Sequence, residues 1–327
     1  RDLVIHEDDL VVGTHGRSIW ILDNIAPLRE LAKAAASDRP FLFGPPRATR
    51  VRWNMFSDTP LPPEEPAGQN PPDGAILDYY LPRRATQVKL EILDERGAVI
   101  RRFSSADRPE SVDPLTLPYP TYWIRPPQIL SAEPGHQRFV WDLRHEPPRG
   151  ARRQFSIAAV HRNTPSGPMG PFVHPGTYAV RLAVNGSVLE RPIEVRLDPR
   201  VKISDADLQL QTDNSLACYR AYLEAQDLRE AIDQALGESA TPASASLREK
   251  ATALRGSGSP GDPDILYGSI YEASPDEETV VGLQHKLLFL LKVLQEADAR
   301  PTSQAMAAVR TLGQTLSVLK QRWERLR

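Results

Sequence analysis

Apolar and polar positions follow three successive patterns along this chain. The first is a strand pattern. Leu10-Val11-Val12-Gly13 and Ile19-Trp20-Ile21-Leu22 place apolar residues on both faces of an extended chain, as strands do when both faces are covered. Between them, Thr14-His15-Gly16-Arg17 is turn chemistry, with Gly16 free to take the positive φ of a tight hairpin. A further strand, Asp2 to His6, precedes across the acidic turn Glu7-Asp8-Asp9, so the chain is predicted to open with a meander. Three strands cannot cover both of their own faces, so this opening reads as the end of something larger. A short helix from Pro27 to Ala36 follows.

The second pattern alternates apolar and polar residues between turns. Val88, Leu90 and Ile92 alternate with Gln87, Lys89 and Glu91, which predicts one buried and one wet face. Asp94-Glu95-Arg96-Gly97 makes the hairpin and Val99 to Phe103 returns; Arg138 to Leu143 is another strand. Thr177 to Val184 and Ser187 to Leu197 flank Asn185-Gly186, the strongest short-range hairpin signal because both residues accept φ > 0. Short antiparallel strands with Pro-rich loops predict an immunoglobulin or fibronectin-III-like β-sandwich. The segments 106–128 and 144–174 read as long loops.

The third pattern is helical. Ser204-Asp205-Ala206-Asp207 is a capping pattern for a long helix stopping at Gly237, and a shorter helix over 246–255 ends at Gly256. Ser274-Pro275-Asp276-Glu277 is a fuller start signal, with Ser as cap and Pro in the first turn. Beyond it, Val280, Leu283, Leu287, Leu290, Leu294 and Ala297 recur at spacings of three and four, widened by Leu288 and Leu291. In the last helix Ala305, Val309, Leu312, Leu316, Leu319, Trp323 and Leu326 do the same. Such seams predict a C-terminal antiparallel helical bundle.

The run Gly13-Thr14-His15-Gly16-Arg17-Ser18-Ile19-Trp20-Ile21-Leu22-Asp23-Asn24-Ile25 with its short helix resembles the closing run of the last blade in bacterial β-propellers of the sortilin-like, BNR-repeat glycosyl-hydrolase-like group. Gly74-Ala75-Ile76-Leu77-Asp78-Tyr79-Tyr80-Leu81 and Gly135-His136-Gln137-Arg138-Phe139-Val140-Trp141-Asp142-Leu143-Arg144 are similar to that family's C-terminal region. The chain departs from the family in lacking a Ser-x-Asp-x-Gly-x-Thr-Trp box and any repeat of the opening pattern. The resemblance implies a multidomain β + α chain with a β-propeller blade remnant and short helix over 1–36 and a Pro-rich connector over 37–73. A β-sandwich over 74–200 and a helical bundle over 201–327 follow. It also implies a secreted or periplasmic protein whose upstream propeller blades are the first partner of this portion.

Composition adds little that is specific. The 327 residues give ample core for two or three domains. Pro numbers 31, about twice the usual share of roughly 5%. The formal net charge of -2 gives no electrostatic case for nucleic acid or an anionic membrane. Acidic residues gather late: residues 204–327 carry 13 Lys+Arg against 18 Asp+Glu. The single cysteine, Cys218, excludes an internal disulfide framework and reads as a small buried residue in a helix. There is no apolar run long enough to span a membrane and no visible signal peptide.

Chemistry is where the pattern thins. The 7 histidines, at positions 6, 15, 136, 145, 161, 174 and 285, show no metal-ligand spacing, so no metal and no cofactor is expected. The cluster His6-Glu7-Asp8-Asp9 reads as a solvated turn. Neither a Gly-x-Ser-x-Gly elbow nor a phosphate loop is present; Gly256-Ser257-Gly258-Ser259-Pro260-Gly261 is a linker. No carboxylate pair is marked out for glycoside hydrolysis, so no catalytic residue is assigned and this chain alone is expected to turn over no glycoside, ester or peptide. Should turnover be found, His136, His145, Glu146, His161 and His174 are the first to substitute. For binding, His15 and Arg17 on the blade turn and Tyr119, Tyr122 and Trp123 in a Pro-rich loop are the candidates, for a protein or glycan partner. The three aromatics are expected to be exposed, while Trp141 and Tyr178 read as core and one of Tyr79 and Tyr80 must point inward. The expected function is thus a non-catalytic, structural or binding portion of the propeller protein. The alternative is part of a glycan-acting hydrolase whose active site lies in blades outside this chain.

Overall fold

A computed structural model describes residues 2–53, 59–62, 64–65, 68, 70–108, 112–117, 119–155, 160–238, 245–260 and 278–327. It has mixed α and β content, with several sheets followed by helices. Two compact units emerge: one from residues 1–145, 157–164 and 175–200, the other from 146–156, 165–174 and 201–327.

The first unit opens with the expected meander, β1 (Asp2–His6), β2 (Asp9–Gly13) and β3 (Ile19–Leu22), paired antiparallel in that order. The turn is tighter than the acidic triplet suggests. Asp9 already pairs with His6, and Glu7 takes the left-handed conformation at φ 53. The two-sided apolar pattern is that of covered strands, yet β1 and β3 are exposed along their whole length. A helix α1 (Ala26–Ala35) follows, with Pro in its first turn, where a missing N–H costs nothing.

Two further sheets carry the unit's core. In one, β4 (Phe41–Leu42), β6 (Ala75–Leu81) and β9 (Gly135–Trp141) lie in that order. In the other the order is β5 (Ala48–Arg50), β13 (Ser187–Leu197), β12 (Gly176–Val184), β7 (Val88–Leu93) and β8 (Val99–Ser104). Within 37–73, then, β4 and β5 each enter a sheet, β5 running parallel to β13. Alternation decides the faces: Val88, Leu90, Ile92, Val180, Leu182, Val184, Ile193 and Val195 are all buried. A register shift between Ile92 and Leu93 turns Leu93 inward as well. On the wet face, Glu190, Arg181, Glu91 and Arg102 form a row of cross-strand ion pairs over four strands. Exposed pairs of this kind stabilise little, ~0.2–1 kcal/mol each, and chiefly keep the face soluble. Rings join the two sheets, Phe103 to Phe139 at 4.6 Å and Trp141 to Tyr178 at 5.9 Å between centroids. The hairpin at Asn185-Gly186 has both residues at positive φ, 47 and 90, as its sequence demands. Tyr79 is the inward member of its pair, and its hydroxyl donates to Ser131 O at 2.7 Å; burial pushes its pKa up to about 12.

In the second unit a short antiparallel pair, β10 (Gln154–Phe155) with β11 (Ser166–Gly167), accompanies, among the described residues, four helices. These are α2 (Asp205–Glu238), α3 (Ala245–Arg255), α4 (Val280–Gln295) and α5 (Ser303–Leu326). The α2 cap works as read: Ser204 Oγ accepts from Asp207 N at 3.1 Å. Helix α2 runs through Gly237 to Glu238 rather than stopping at the glycine. Gly256 does end α3, at φ 83. The start signal at 274–277 lies outside the described residues; α4 is capped by Thr279, whose Oγ1 accepts from Gly282 N at 3.0 Å. Val280, Leu283, Leu287, Leu290 and Leu294 are buried in one core with Leu316, Leu319 and Trp323 of α5 and Tyr222, Ala225 and Ile232 of α2. Ala297 lies beyond the helix and is exposed. Cys218 is fully buried, its Sγ donating to Leu287 O at 3.1 Å, and burial pushes the thiol up to about 12, which makes it inert.

Gly313 sits inside α5 with nothing within 4 Å of where a Cβ would project. Gly313→Ala is therefore expected to stabilise this unit by about 0.5–1 kcal/mol, through helix propensity and a less flexible unfolded chain. Urea titration followed by far-UV circular dichroism checks it; a loss of stability would mean that the α5 face around Gly313 packs more tightly than described.

Candidate functional site

Two places gather the sequence-nominated residues. The first is the turn between β2 and β3. Thr14 Oγ1 donates to Ser18 O at 2.7 Å and accepts from Arg17 N at 3.1 Å, while Trp20 Nε1 donates to Arg17 O at 2.9 Å. Gly16 and Ser18 take positive φ, 75 and 67, to close it. His15 and Arg17 are both exposed. His15 borders an open hollow with Asp2, Leu3, Val12, Gly13 and Thr14, whereas Arg17 does not line it. The hollow is shallow and holds no converging set of polar groups.

The second place is built from two loop segments of the first unit. Residues 121–125 and 160–164 run parallel and are zipped by backbone hydrogen bonds: Arg162 N to Tyr122 O, Thr164 N to Trp123 O, and Arg125 N to Thr164 O at 2.9 Å. Thr164, fully buried, closes its own turn through Oγ1, which donates to Val160 O and accepts from Val160 N. Arg125 Nε donates to Asn163 Oδ1 at 2.8 Å, and its guanidinium pairs with Asp73. On this frame four rings meet. Tyr119 stacks on Trp123 at 5.2 Å, Tyr122 stands perpendicular to Trp123 at 6.2 Å, and Tyr122 lies against His161 at 6.0 Å. The aromatics are less open than expected: Tyr119 is buried and Tyr122 and Trp123 are half-buried, with His161 of the paired segment against Tyr122. Sequence reasoning placed His161 only among scattered loop histidines; its meeting with Tyr122 depends on the pairing of two distant loops.

Within electrostatic reach of Arg125 lies a turn rich in charge. Trp141 Nε1 donates to Arg144 O at 3.0 Å, Arg144 N donates to Asp142 Oδ1 at 3.3 Å, and Leu143 between them is held at φ 58. Burial, with Arg52 and Arg125 adding to it, lowers the Arg144 pKa, against the raising effect of Asp142 and Asp73.

A polar cluster that sequence reasoning missed sits on β6. Asp78 is 1% exposed and accepts from Asn24 Nδ2 at 2.8 Å and from Arg138 Nε at 2.9 Å, with His136 Nε2 at 3.1 Å. Arg138 also donates to Asp23 O at 2.7 Å and Asn24 O at 3.0 Å. Asn24, at φ 54, is held a second way, its N–H donating to Asp9 Oδ1 at 2.9 Å. Burial first, and Asp9 second, raise the Asp23 pKa. Every oxygen of Asp78 is thus engaged, so the cluster is a clamp holding residues 23–24 to β6 and β9 rather than a reacting centre. The signal available was Asp78 itself, a carboxylate at the middle of an apolar strand.

Among the described residues no three His, Cys, Asp or Glu side chains gather as metal ligands, and no helix is long and apolar enough to cross a membrane.

Comparison with known proteins yields little. No family model matches the chain. No curated protein matches it either. A solved structure, the crystal structure of CopC from Methylosinus trichosporium OB3b, aligns with 51% of this chain and 100% of its own at 11% identity and a TM-score of 0.21, a likeness too slight to carry any argument.

Proposed function

We propose that this chain is a non-catalytic portion of an extracytoplasmic β-propeller protein, with a structural or binding role. In this reading β1–β3 belong to the last blade and are covered by other blades of the same protein. The β4-β6-β9 sheet and the five-stranded sheet make an immunoglobulin or fibronectin-III-like sandwich, and α2–α5 an antiparallel bundle. The observation that carries the reading is the open meander. Leu3, Val4, Ile5, Ile19, Trp20, Ile21 and Leu22 are between 48% and 70% exposed on a sheet bare on both faces. Burying such a side chain stabilises by about 1.5–3 kcal/mol, so roughly half of that is forgone at each position. A patch of this kind marks an interface. No catalytic set among the described residues favours the hydrolase alternative.

A deletion tests this reading. Asp23 and Asn24 serve the Asp78 clamp, so it must stop short of them. Removing residues 1–22 is expected to raise solubility, measured as the concentration at which light scattering rises, and to change the unfolding free energy of the first unit by less than about 1 kcal/mol, since side chains left in water contribute little burial. Loss of the folded first unit would place the meander in its core and sink the propeller reading.

A further inference from the structure

The ring cluster contains two polar atoms that the fold leaves unanswered. Trp123 Nε1 and His161 Nδ1 are both shut away from solvent without a hydrogen-bond partner. A buried polar group in that state costs about 1–3 kcal/mol and calls for an explanation, among which a ligand or bound water is the usual one. Both atoms belong to rings that touch Tyr122, at centroid distances of 6.2 and 6.0 Å. The chain also holds strain here: Arg162, next to His161, is a non-glycine residue at φ 54. Such strain costs about 1–3 kcal/mol and persists where the surroundings over-determine it, commonly at binding sites. The frame beneath is rigid, zipped by the backbone bonds between 121–125 and 160–164.

We propose that Tyr119, Tyr122, Trp123 and His161 form a saccharide-binding site. A pyranose has an apolar C–H face that lies on an aromatic ring, and a rim of hydroxyl oxygens that accept hydrogen bonds. Tyr and Trp supply flat faces at low conformational cost, and indole N–H is a donor only. Trp123 and His161 both meet Tyr122, so their two unanswered nitrogens gather around one ring, which suits one sugar rather than an extended peptide. Tyr122 is the ring that both of them touch. In the proposed complex the sugar displaces the Tyr122 ring from Trp123 and His161 and meets the indole N–H and the imidazole nitrogen. Arg125, held by Asp73 and Asn163 two residues beyond Trp123, is placed to meet the rim of the sugar. This site is independent of the propeller reading, because it uses no residue of β1–β3.

The test is calorimetric titration of the full chain with fragments of β-glucan, xylan, mannan and polygalacturonate, and with decaproline as the peptide arm. At least one saccharide is expected to bind saturably, with the Trp123 indole proton resonance moving on binding. Trp123→Phe, which keeps a ring and removes the donor, is expected to weaken that binding about tenfold, as is His161→Phe, while Arg96→Ala, on the exposed β7–β8 hairpin, leaves it unchanged. Circular dichroism and the thermal transition of each variant separate binding from folding. Binding of none of the four saccharides, binding of decaproline alone, or wild-type affinity in both Trp123→Phe and His161→Phe would overturn the proposal. The wild-type titration and the indole shift decide it even where a variant fails to fold.

Discussion

Asp78→Ala is expected to destabilise the first unit by about 3–5 kcal/mol, nearer the lower figure, because removing one partner of a buried ion pair strands the other. The carboxylate is 1% exposed and engages Asn24, His136 and Arg138. Arg138 keeps two carbonyl acceptors, on Asp23 and Asn24, and its side chain is 29% exposed, so part of its charge finds water. Asn24 has no such relief, since it is buried at a left-handed φ of 54. Asp78→Asn retains an acceptor oxygen and is expected to lose about half as much, by the ordinary worth of charged over neutral hydrogen bonds. Urea unfolding monitored by tryptophan fluorescence measures both, with the m-value showing whether the unfolded state has changed. An unaltered midpoint for Asp78→Ala would show that residues 23–24 are held to β6 and β9 by something other than this clamp. A loss confined to the meander, with Trp20 fluorescence changing and Trp141 fluorescence not, would show that the clamp serves attachment and not the core.

The clamp also marks the limit of what the chain reveals on its own. Strands over 88–104 and the Asn185-Gly186 hairpin were legible because alternation and turn chemistry are written within a few residues. The seams of α4 and α5 were legible for the same reason, a local period. Asp78 meets Asn24 across 54 residues and Arg138 across 60, and no local pattern encodes such a meeting. The strands β4 and β5, two and three residues long among prolines, were hidden because their pairing is decided by β6 and β13 and not by their own residues. At the ring cluster, Tyr119, Tyr122 and Trp123 were readable as candidates for binding. The contact of Tyr122 with His161 was not, because it depends on the parallel pairing of segments about 40 residues apart. The meander was the opposite case: its two-sided apolar pattern was plain, and the pattern describes a burial that β1 and β3 lack.

Gly74→Ala is the second substitution expected to be severe, and it tests the join between the core and the loops. Gly74 precedes β6 at φ 144, and a Cβ there would lie 2.1 Å from Trp141 O and 3.1 Å from Asp142 Cα. Backbone cannot swing aside as a flexible side chain does. The methyl therefore either separates β6 from β9 at the Ala75–Trp141 pair or displaces the Trp141–Asp142 peptide. Strained φ and overpacking together are expected to cost about 3–5 kcal/mol. Gly97→Ala provides the measure of φ alone. Gly97 has a φ of 78 with nothing within 4 Å, so only the left-handed penalty of about 1–2 kcal/mol is expected. The difference between the two variants, read from urea midpoints, is the contribution of the close approach. The displaced peptide leads directly into the Asp142-Leu143-Arg144 turn, which Trp141 Nε1 fastens and which keeps Arg144 within electrostatic reach of Arg125. A Gly74→Ala variant that still folds is accordingly expected to show altered amide resonances at Arg144, Arg125 and Asn163, with those of α4 and α5 unmoved. Equal losses for Gly74→Ala and Gly97→Ala would mean that β6 and β9 do not meet in the register described.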